Sequence, residues 1–399
     1  MSKKQKNKLT FSTYSTFNNH YKSNVEKKDG KYVKSGDDNL FPQYLIKLYN
    51  RSSLHAACVD SIVDGVIGEG LTANEEEFLE VANKSGETWN DIFKKVSLDY
   101  KLHGSFALEI LYSLDRSRIA ECYHIDFSTI RAKEKNNRGI IPGYYISDEW
   151  RAFTGPNKKI EYLPVFDLNK KQDEASQIFV VHQYRPGQQY YPLPDYAGAL
   201  KIIEVDTEVD NFHANNLRNG LAPSLAITTF MNGSPDDVKS VEELLRANYS
   251  GTNNAGQLIY MDVDSPENKP EITPINPAAT DQYYTTINDL VLQKILTAHR
   301  ITSPMLLGIR TEGQLGGRNE MIDAQILLQH NVIMPMQQEI LRQLEGILSV
   351  NYPDIILGVQ TRTLFDDGEI EEEVVTSVEV TDEENEEVQK EDNENVLDI

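Results

Sequence analysis

Two helical segments joined by a glycine-rich stretch occupy residues 281–349, and this arrangement constrains the fold more than any other part of the sequence. The first segment repeats at spacings of three and four: Tyr283, Ile287, Leu290, Val291, Lys294 and Ala298. All but the lysine are apolar or aromatic, so the pattern predicts a helix with one apolar stripe. Pro304 ends this helix, because the residue before a proline is pushed out of the α region.

The glycine-rich stretch is followed by a longer helix. Four glycines lie within ten residues: Gly308, Gly313, Gly316 and Gly317. They permit positive φ but offer no side chain to a core. Asn319 is the predicted N-cap of the second helix. Its apolar face is predicted to be Ile322, Ile326, Ile333, Met336, Ile340, Leu344 and Ile347. Pro335 lies inside the segment, so we expect one kinked helix rather than two separate helices.

Charge is distributed unevenly along the 399 residues. Residues 366–399 hold 16 acidic residues against one lysine, and residues 1–36 hold nine lysines against two acidic residues. With a total of −23, net charges of −15 and +7 at the two ends leave −15 for the long middle. A broad basic face that grips a polyanion is therefore not predicted, whereas a nucleic acid that passes without being held is compatible.

Several classes of protein are not expected from the sequence. It has no run of 18 apolar residues and no secretory signal, so neither a transmembrane helix nor secretion is expected. Cys58 and Cys122 lack metal-ligand spacing and are expected to be reduced and buried. The motifs GxxxxGK[ST], GxSxG and HExxH are absent, so we expect no catalytic residue, no metal and no cofactor.

The first half of the chain predicts helices followed by short strands. Residues 1–38 are predicted to be a flexible basic arm. Helices are predicted from Phe41 to Tyr49, around Leu54–Val66 and over Trp89–His103, with Gly104 as the residue after the last. Predicted strands are Ser105–Tyr112, Ile119–Ile125, Ile140–Ile146, Trp150–Phe153, Ile160–Val165 and Ile178–Gln183. Two histidines, His103 and His182, are expected to be capping or interior hydrogen-bonded residues.

The second half predicts a helix over 200–220 and a β-α-β unit over 221–278. The middle of the helix is acidic: Glu204, Asp206, Glu208 and Asp210. These carboxylates form either a solvated face or, in a ring of subunits, a surface towards the channel or the groove between neighbours. Residues 349–365 are expected to return one strand to the β-rich part. The acidic residues 366–399 are expected to be disordered, with a fringe strand as the alternative.

The runs AHRITSPMLLGI, RTEGQLGGRN and IMPMQQEIL resemble the corresponding part of phage portal proteins. Seven positions match: His299, Pro304, Leu306, Leu307, Gly308, Pro335 and Ile340. Ser303 stands where the family often has a second proline, and Pro192 replaces a usual glycine in the YYPLP run. The resemblance covers about residues 40–350 and includes Asn253, Asn254, Ala255 and Gly256.

The resemblance implies an α+β portal fold with an α/β wing, two stem helices, a β-α-β clip and a long proline-kinked helix. Its parts would be a wing (39–199), a first stem helix (200–220), a clip (221–278), a second stem helix (279–300), a tunnel loop (301–318), a kinked wing helix (319–348) and a return strand (349–365). The clip residues would be Asn253, Asn254 and Gly256. Residues facing the tunnel would be Arg310, Gln314, Leu315, Gly316, Gly317 and Arg318, although Arg318 could equally form an ion pair between subunits.

By the same resemblance, the subunit would form a ring, commonly of twelve, at one capsid vertex of the virion. Double-stranded DNA would pass through without sequence specificity, driven by a separate ATP-hydrolysing terminase large subunit. Capsid and scaffold proteins and a head-tail adaptor would be the other partners, and assembly would take place in the host cytoplasm. The alternative is a ring-forming scaffold or adaptor, not of phage origin, that does not translocate DNA.

Overall fold

A computed structural model describes residues 26–75, 77–150, 160–170, 174–219, 225–229, 258–262, 280–309 and 318–362. The helices are α1 (Phe41–Arg51), α2 (Ser53–Ile67), α3 (Trp89–His103), α4 (Leu200–Asn219), α5 (Thr280–His299), α6 (Arg318–Leu328) and α7 (Met334–Leu348). The strands are β1 (Glu26–Asp29), β2 (Tyr32–Ser35), β3 (Gly70–Ala73), β4 (Ser105–Tyr112), β5 (Ile119–Ile125), β6 (Ile130–Ala132), β7 (Gly143–Ile146), β8 (Glu161–Pro164), β9 (Ser176–His182), β10 (Leu225–Thr229), β11 (Leu258–Asp262) and β12 (Leu357–Gln360). Among the described residues, no helix is both long and apolar enough to cross a membrane.

The main core lies between the helices. α2 packs against α1, α3, α5 and α7, and its side chains at Cys58, Ile62 and Val66 are fully buried. α3 begins with a capping box, in which the Thr88 side chain accepts from Asp91 N and the Asp91 carboxylate accepts from Thr88 N. α3 ends at a left-handed glycine, as predicted. These local signals fix the ends of the helices, and burial of their apolar faces holds them together.

The β-rich part contains two antiparallel three-stranded sheets. Their orders are β5-β4-β9 and β6-β7-β8. The short strand β6 escapes the sequence pattern, because three residues are too few to show alternation. The predicted strand Ile140–Ile146 begins only at Gly143, and Trp150 of the predicted strand 150–153 lies outside any strand. Residues 151–153 lie outside the described ranges.

The prediction of a flexible arm is wrong for the last part of that segment. Residues 26–35 form the antiparallel hairpin β1–β2, in which Tyr32 and Val33 are buried. The Glu26 carboxylate accepts from the backbone N–H of Tyr190 at 2.7 Å. Val33 packs in the core of the β-rich part, and the Tyr32 ring packs on Trp150 with centroids 5.0 Å apart. Packing therefore orders a segment whose composition is lysine-rich. The first 25 residues lie outside the described ranges.

The predicted destination of the final strand is also wrong. β12 pairs antiparallel with β3, next to α2, rather than joining the β-rich sheets. Because α7 packs on α2, the chain that leaves α7 meets the strand that leaves α2. Gly68 ends α2 with φ of 56°, and a Cβ there would lie 2.3 Å from the carbonyl oxygen of Gln360. A glycine is therefore required both by the backbone conformation and by the approach of β12.

The two long helices α4 and α5 contact each other, and the buried face of α5 is rotated from the predicted stripe. Val291, Ile295 and His299 are buried at intervals of four, whereas Leu290 and Lys294 are exposed. The predicted stripe ran through Leu290, Lys294 and Ala298 and left out Ile295, whereas packing against α2 buries the row that contains Ile295. The clip region is described only as the parallel pair β10–β11, in which Leu225 lies opposite Leu258.

Residues 318–348 continue from α6 into α7 through a π turn at Gln329–Ile333. Met334 N donates to Gln329 O, which lies five residues back. The side chains of α7 that were predicted to be buried are so: Met336, Ile340, Leu344 and Ile347. On α6, however, Ile326 is exposed, and Asn319 lies inside the helix rather than at its cap.

Candidate functional site

The described elements meet at the C-terminal end of α5, and six side chains gathered there form what we call the junction cluster. Its members are His55, Lys101, Asp195, Tyr196, His299 and Arg300. They come from α2, α3, the segment before α4, and the end of α5. The cluster lies directly before the predicted tunnel loop, so it sets the direction in which that loop leaves the helices.

α5 ends in a left-handed residue that is not glycine. Arg300 has φ of 60°, while Arg300 N donates to Thr297 O and Ile301 N donates to Leu296 O. This pair of bonds is the Schellman arrangement, in which the left-handed position is most often glycine. A side chain in this conformation costs about 1–2 kcal/mol. A contact made by the arginine side chain therefore accounts for a residue other than glycine at this position.

That contact is an ion-pair group of three residues. Lys101 is almost fully buried, and its Nζ donates to Asp195 Oδ1 at 2.9 Å and Oδ2 at 2.8 Å. Arg300 Nη2 donates to the same Oδ2 at 3.4 Å from the more exposed side. Burial lowers the pKa of Lys101, and the neighbouring Asp195 opposes that effect. One carboxylate thus joins α3 to the end of α5.

Arg300 also reaches the π turn. Its Nη1 donates to the carbonyl oxygen of Asn331 at 3.3 Å. Pro335 has no N–H with which to bond that carbonyl, four residues before it. The guanidinium therefore links α5 to the turn before α7. The kink predicted at Pro335 thus lies beside a contact made by Arg300, and the angle of that kink stays a prediction.

Two buried histidines form the apolar side of the cluster. His55 Nδ1 lies 3.0 Å from His299 Nε2, and the ring of Tyr196 packs on both. The Tyr196 hydroxyl donates to Leu102 O at 2.7 Å. Burial lowers the pKa of His55 to about 3 and that of His299 well below its usual value. At neutral pH both rings are uncharged, so one of them donates its N–H to the other.

The predicted acidic face of α4 does not exist as one surface. Asp206 is half-buried, and its Oδ2 accepts from Ser52 Oγ at 2.7 Å. Ser52 is also the N-cap of α2, where its Oγ accepts from His55 N. Glu208 and Asp210 are exposed. Asp206 and Asp210 are four residues apart on one side of the helix, and only Asp206, nearer the N-terminus, reaches Ser52. The carboxylates therefore divide along the helix between the core side and solvent.

The first residues of the predicted tunnel loop are ordered. Ser303 caps a short 3₁₀ turn, Pro304–Leu307, by accepting from Met305 N at 3.3 Å, and Gly308 ends it with φ of 75°. Arg310, Gln314, Leu315, Gly316 and Gly317 lie outside the described residues, as do Asn253, Asn254 and Gly256 of the predicted clip. Arg318 is the first residue of α6.

Sequence reasoning found only part of the junction cluster. His299 was matched to the portal pattern, but neither Lys101 nor Asp195 was singled out. Both lie in segments without a distinctive motif, and they are 94 residues apart. The one available signal was Lys101 between Tyr100 and Leu102 in the last turn of α3, because a buried lysine requires a partner.

Comparisons with known proteins define the class to which this fold belongs. The chain is similar to a chain in "Virion of native gene transfer agent (GTA) particle", with a TM-score of 0.55, 15% identity and coverage of 86% of this chain and 88% of that one. It is also similar to a chain in "Neck of native GTA particle computed with C12 symmetry", with a TM-score of 0.50, 16% identity and coverage of 77% and 81%. The α+β portal fold predicted from the sequence is confirmed.

The family follows from the sequence comparison. The profile described as "Phage portal protein" matches residues 72–355. The chain belongs to the phage portal protein family. It is 24% identical over 168 residues to the "Probable portal protein" of Haemophilus phage HP1 (strain HP1c1). The aligned residues cover 41% of this chain and 47% of that relative. The chain thus spans about half the length of that curated relative.

Proposed function

We propose that this chain is the portal subunit of a phage or prophage particle, and that it forms a ring at one capsid vertex through which double-stranded DNA passes. Family membership supports this proposal, and one feature of the surface carries it. The long helices α4, α5 and α6 each hold large apolar side chains that are 39–49% exposed: Val205, Leu290, Ile326 and Leu327. Such side chains on the two predicted stem helices and on the predicted wing helix are suited to contact a neighbouring copy.

The role we propose is structural rather than enzymatic. The junction cluster holds neutral, buried rings and a buried ion pair, which fix the geometry at the end of α5. The ring of twelve, the terminase large subunit as the separate motor, the capsid and scaffold proteins and the head-tail adaptor are parts of this proposal. The acidic middle of the sequence supports passage without retention, because each phosphate held by a cation adds salt-dependent affinity.

Within the ring, the loop between Gly308 and Arg318 is the segment we assign to the channel wall. The 3₁₀ turn that precedes it and α6 that follows it are both ordered, so the loop leaves and returns at fixed points. Gln314, Leu315, Gly316 and Gly317 are then the residues nearest the axis. Arg310 and Arg318 flank them, and the clip assignment of Asn253, Asn254 and Gly256 belongs to the same proposal.

Cysteine cross-linking in assembled particles tests this assignment. Gln314→Cys places a thiol in the loop, and Arg116→Cys places one on the exposed β4–β5 turn as the control. The native thiols are buried, and burial raises the pKa of Cys58 to about 12, so they will not compete. We expect a short bis-maleimide to link neighbouring subunits through Cys at 314 but not at 116. End-on views without a central opening, or equal cross-linking of both variants, would contradict the proposal.

DNA passage separates the portal from the alternative of a scaffold or adaptor. We expect particles with Gln314→Cys to package DNA before cross-linking and to retain it after cross-linking, because the linked loops block exit. Particles that assemble with this chain yet contain no DNA would favour the alternative.

A further inference from the structure

Four residues with metal-binding side chains meet where α3 ends and β5 turns into the next segment. Asp99 and His103 are four residues apart on one face of α3, while His124 lies near the end of β5 and Asp126 directly follows that strand. One ligand atom each of Asp99, His103 and Asp126 lie within 4.8 Å of one another. This spacing leaves room for one ion among them.

Each carboxylate in this group uses one oxygen for the protein. Asp99 Oδ2 accepts from His124 Nε2 at 2.9 Å and from Phe127 N at 3.1 Å. Asp126 Oδ1 accepts from Ser128 N at 2.8 Å and caps the short 3₁₀ turn there. These bonds fix the direction of both side chains, while the second oxygen of each carboxylate accepts no bond from the described residues.

His103 provides an independent observation. Its side chain is 2% exposed, and its Nδ1 is a buried nitrogen without a hydrogen-bond partner among the described residues. The ring is held in place by the ring of Phe127, with centroids 5.6 Å apart. A buried polar atom without a partner is uncommon in folded proteins and calls for an explanation such as an ion. An imidazole beside two carboxylates is a donor set for a metal.

We propose that Asp99, His103 and Asp126 bind one divalent cation of the zinc type. One nitrogen and two oxygen donors suit Zn²⁺ better than Ca²⁺ or Mg²⁺, which take six or more oxygen ligands. A water molecule on the exposed side of Asp126 completes the tetrahedron. His124 is the positioning residue, because it holds Asp99 from outside the ligand set. The ion joins the last turn of α3 to the turn after β5 and stabilises the subunit.

Zinc titration of the full chain after chelator treatment tests this proposal. Excess Mg²⁺ is included to occupy the acidic residues 366–399, whose oxygen ligands favour hard cations. The test variant is Asp126→Asn, because asparagine caps a helix as well as aspartate does. The control is Asp115→Asn, since Asp115 is an exposed turn carboxylate that also bonds neighbouring hydroxyls and lies outside the group. A second variant, His103→Gln, removes the nitrogen donor.

We expect one Zn²⁺ per subunit, a higher melting temperature with Zn²⁺, and at least tenfold weaker binding in both test variants. The control should bind as the unchanged chain does. Replacement by Co²⁺ should give the visible absorption of a tetrahedral site, and Asp126→Asn should reduce it. No binding by the chain, or equal binding by Asp126→Asn and Asp115→Asn, would overturn the proposal. A folded Asp126→Asn protein keeps the result interpretable if His103→Gln does not fold.

Discussion

Arg300 is a residue whose backbone conformation and side-chain contacts oppose each other. Its left-handed backbone disfavours any side chain, while its guanidinium bonds Asp195 and the Asn331 carbonyl. The guanidinium is more than half exposed, so its ion pair contributes at most about 1 kcal/mol. The residue therefore serves to connect α5 with the π turn more than to stabilise the subunit.

Two substitutions at this position separate the backbone from the side chain. Both Arg300→Gly and Arg300→Ala remove the guanidinium, but only glycine adopts the left-handed conformation without a penalty. We expect Arg300→Gly to be about 1 kcal/mol more stable than Arg300→Ala. Urea unfolding of the two proteins measures the difference. Equal stabilities would mean that the backbone at the end of α5 is not left-handed.

The buried histidine pair makes stability depend on pH. His55 has a pKa of about 3 in the folded chain, against 6.5 for an ordinary histidine. The unfolded chain therefore binds a proton that the folded chain excludes. The contribution of uncharged His55 to the free energy of unfolding is fully present above pH 6.5. It is lost as the pH drops from 6.5 towards 3, by about 1.4 kcal/mol per pH unit for one histidine.

Replacing His55 should remove one of the protons that the unfolded chain binds and the folded chain excludes. We expect His55→Gln to reduce the pH dependence of the unfolding free energy by about 1.4 kcal/mol per unit between pH 6 and pH 4. The control is His330→Gln, because His330 is exposed on the π turn. Urea unfolding at several pH values gives both slopes. An unchanged slope in His55→Gln would show that the pair titrates as ordinary histidines do.

At the scale of elements, the sequence predicted what local chemistry determines. The end of α3 at Gly104 follows from glycine itself, and the helices α1, α2 and α3 follow from apolar spacing. The pairing of β12 with β3, the rotation of the buried face of α5 and the π turn depend on packing between distant segments. No local pattern encodes a partner that lies some 290 residues away, so these features could not be predicted.

The π turn is held in place by its contact with α2. Gln337 Nε2 donates to the carbonyl of Val66 at 3.0 Å, and a Cβ at Gly65 would lie 2.4 Å from Ile333 Cδ1. Gly65→Ala therefore forces Ile333 to move. We expect overpacking to cost about 1–3 kcal/mol in the free energy of unfolding, which the helix preference of alanine offsets by about 1 kcal/mol.

The matched control is a second glycine, Gly346, which lies on α7. At Gly346 an added Cβ would meet nothing within 4 Å. Gly346→Ala should thus be neutral or more stable by up to about 1 kcal/mol, because alanine favours helix. Thermal unfolding compares the two variants. If Gly65→Ala were as stable as Gly346→Ala, α2 would not press against the π turn.

At the scale of the whole molecule, the candidate site was only partly predictable. The family pattern drew attention to His299 and Pro335. The structure adds His55 and Tyr196 as the partners of His299, and Arg300 as the side chain that bonds the turn before Pro335. The residues predicted to face the channel, from Arg310 to Gly317, lie outside the described residues, and their assignment stays a prediction. A single chain contains no information about contacts made across a symmetry axis except through side chains left exposed.

Those exposed side chains give the last prediction. Ile326 and Leu327 on α6 are 46% and 49% exposed, and burying the exposed half of one such side chain in an interface contributes about 0.7–1.5 kcal/mol. The double variant Ile326→Ser/Leu327→Ser should therefore weaken ring formation by at least about tenfold. Its melting temperature as a single subunit should not fall, because neither side chain belongs to the buried core.

The matched control is Leu114→Ser, on the β4–β5 turn, where the leucine is fully exposed and outside the long helices. Native mass spectrometry gives the fraction of rings, at a concentration where the unchanged chain assembles. We expect Leu114→Ser to assemble normally and the α6 variant to remain largely monomeric. If the α6 variant formed rings as readily as the control, the apolar side of α6 would face solvent or another protein. The ring interface would then have to lie on other elements.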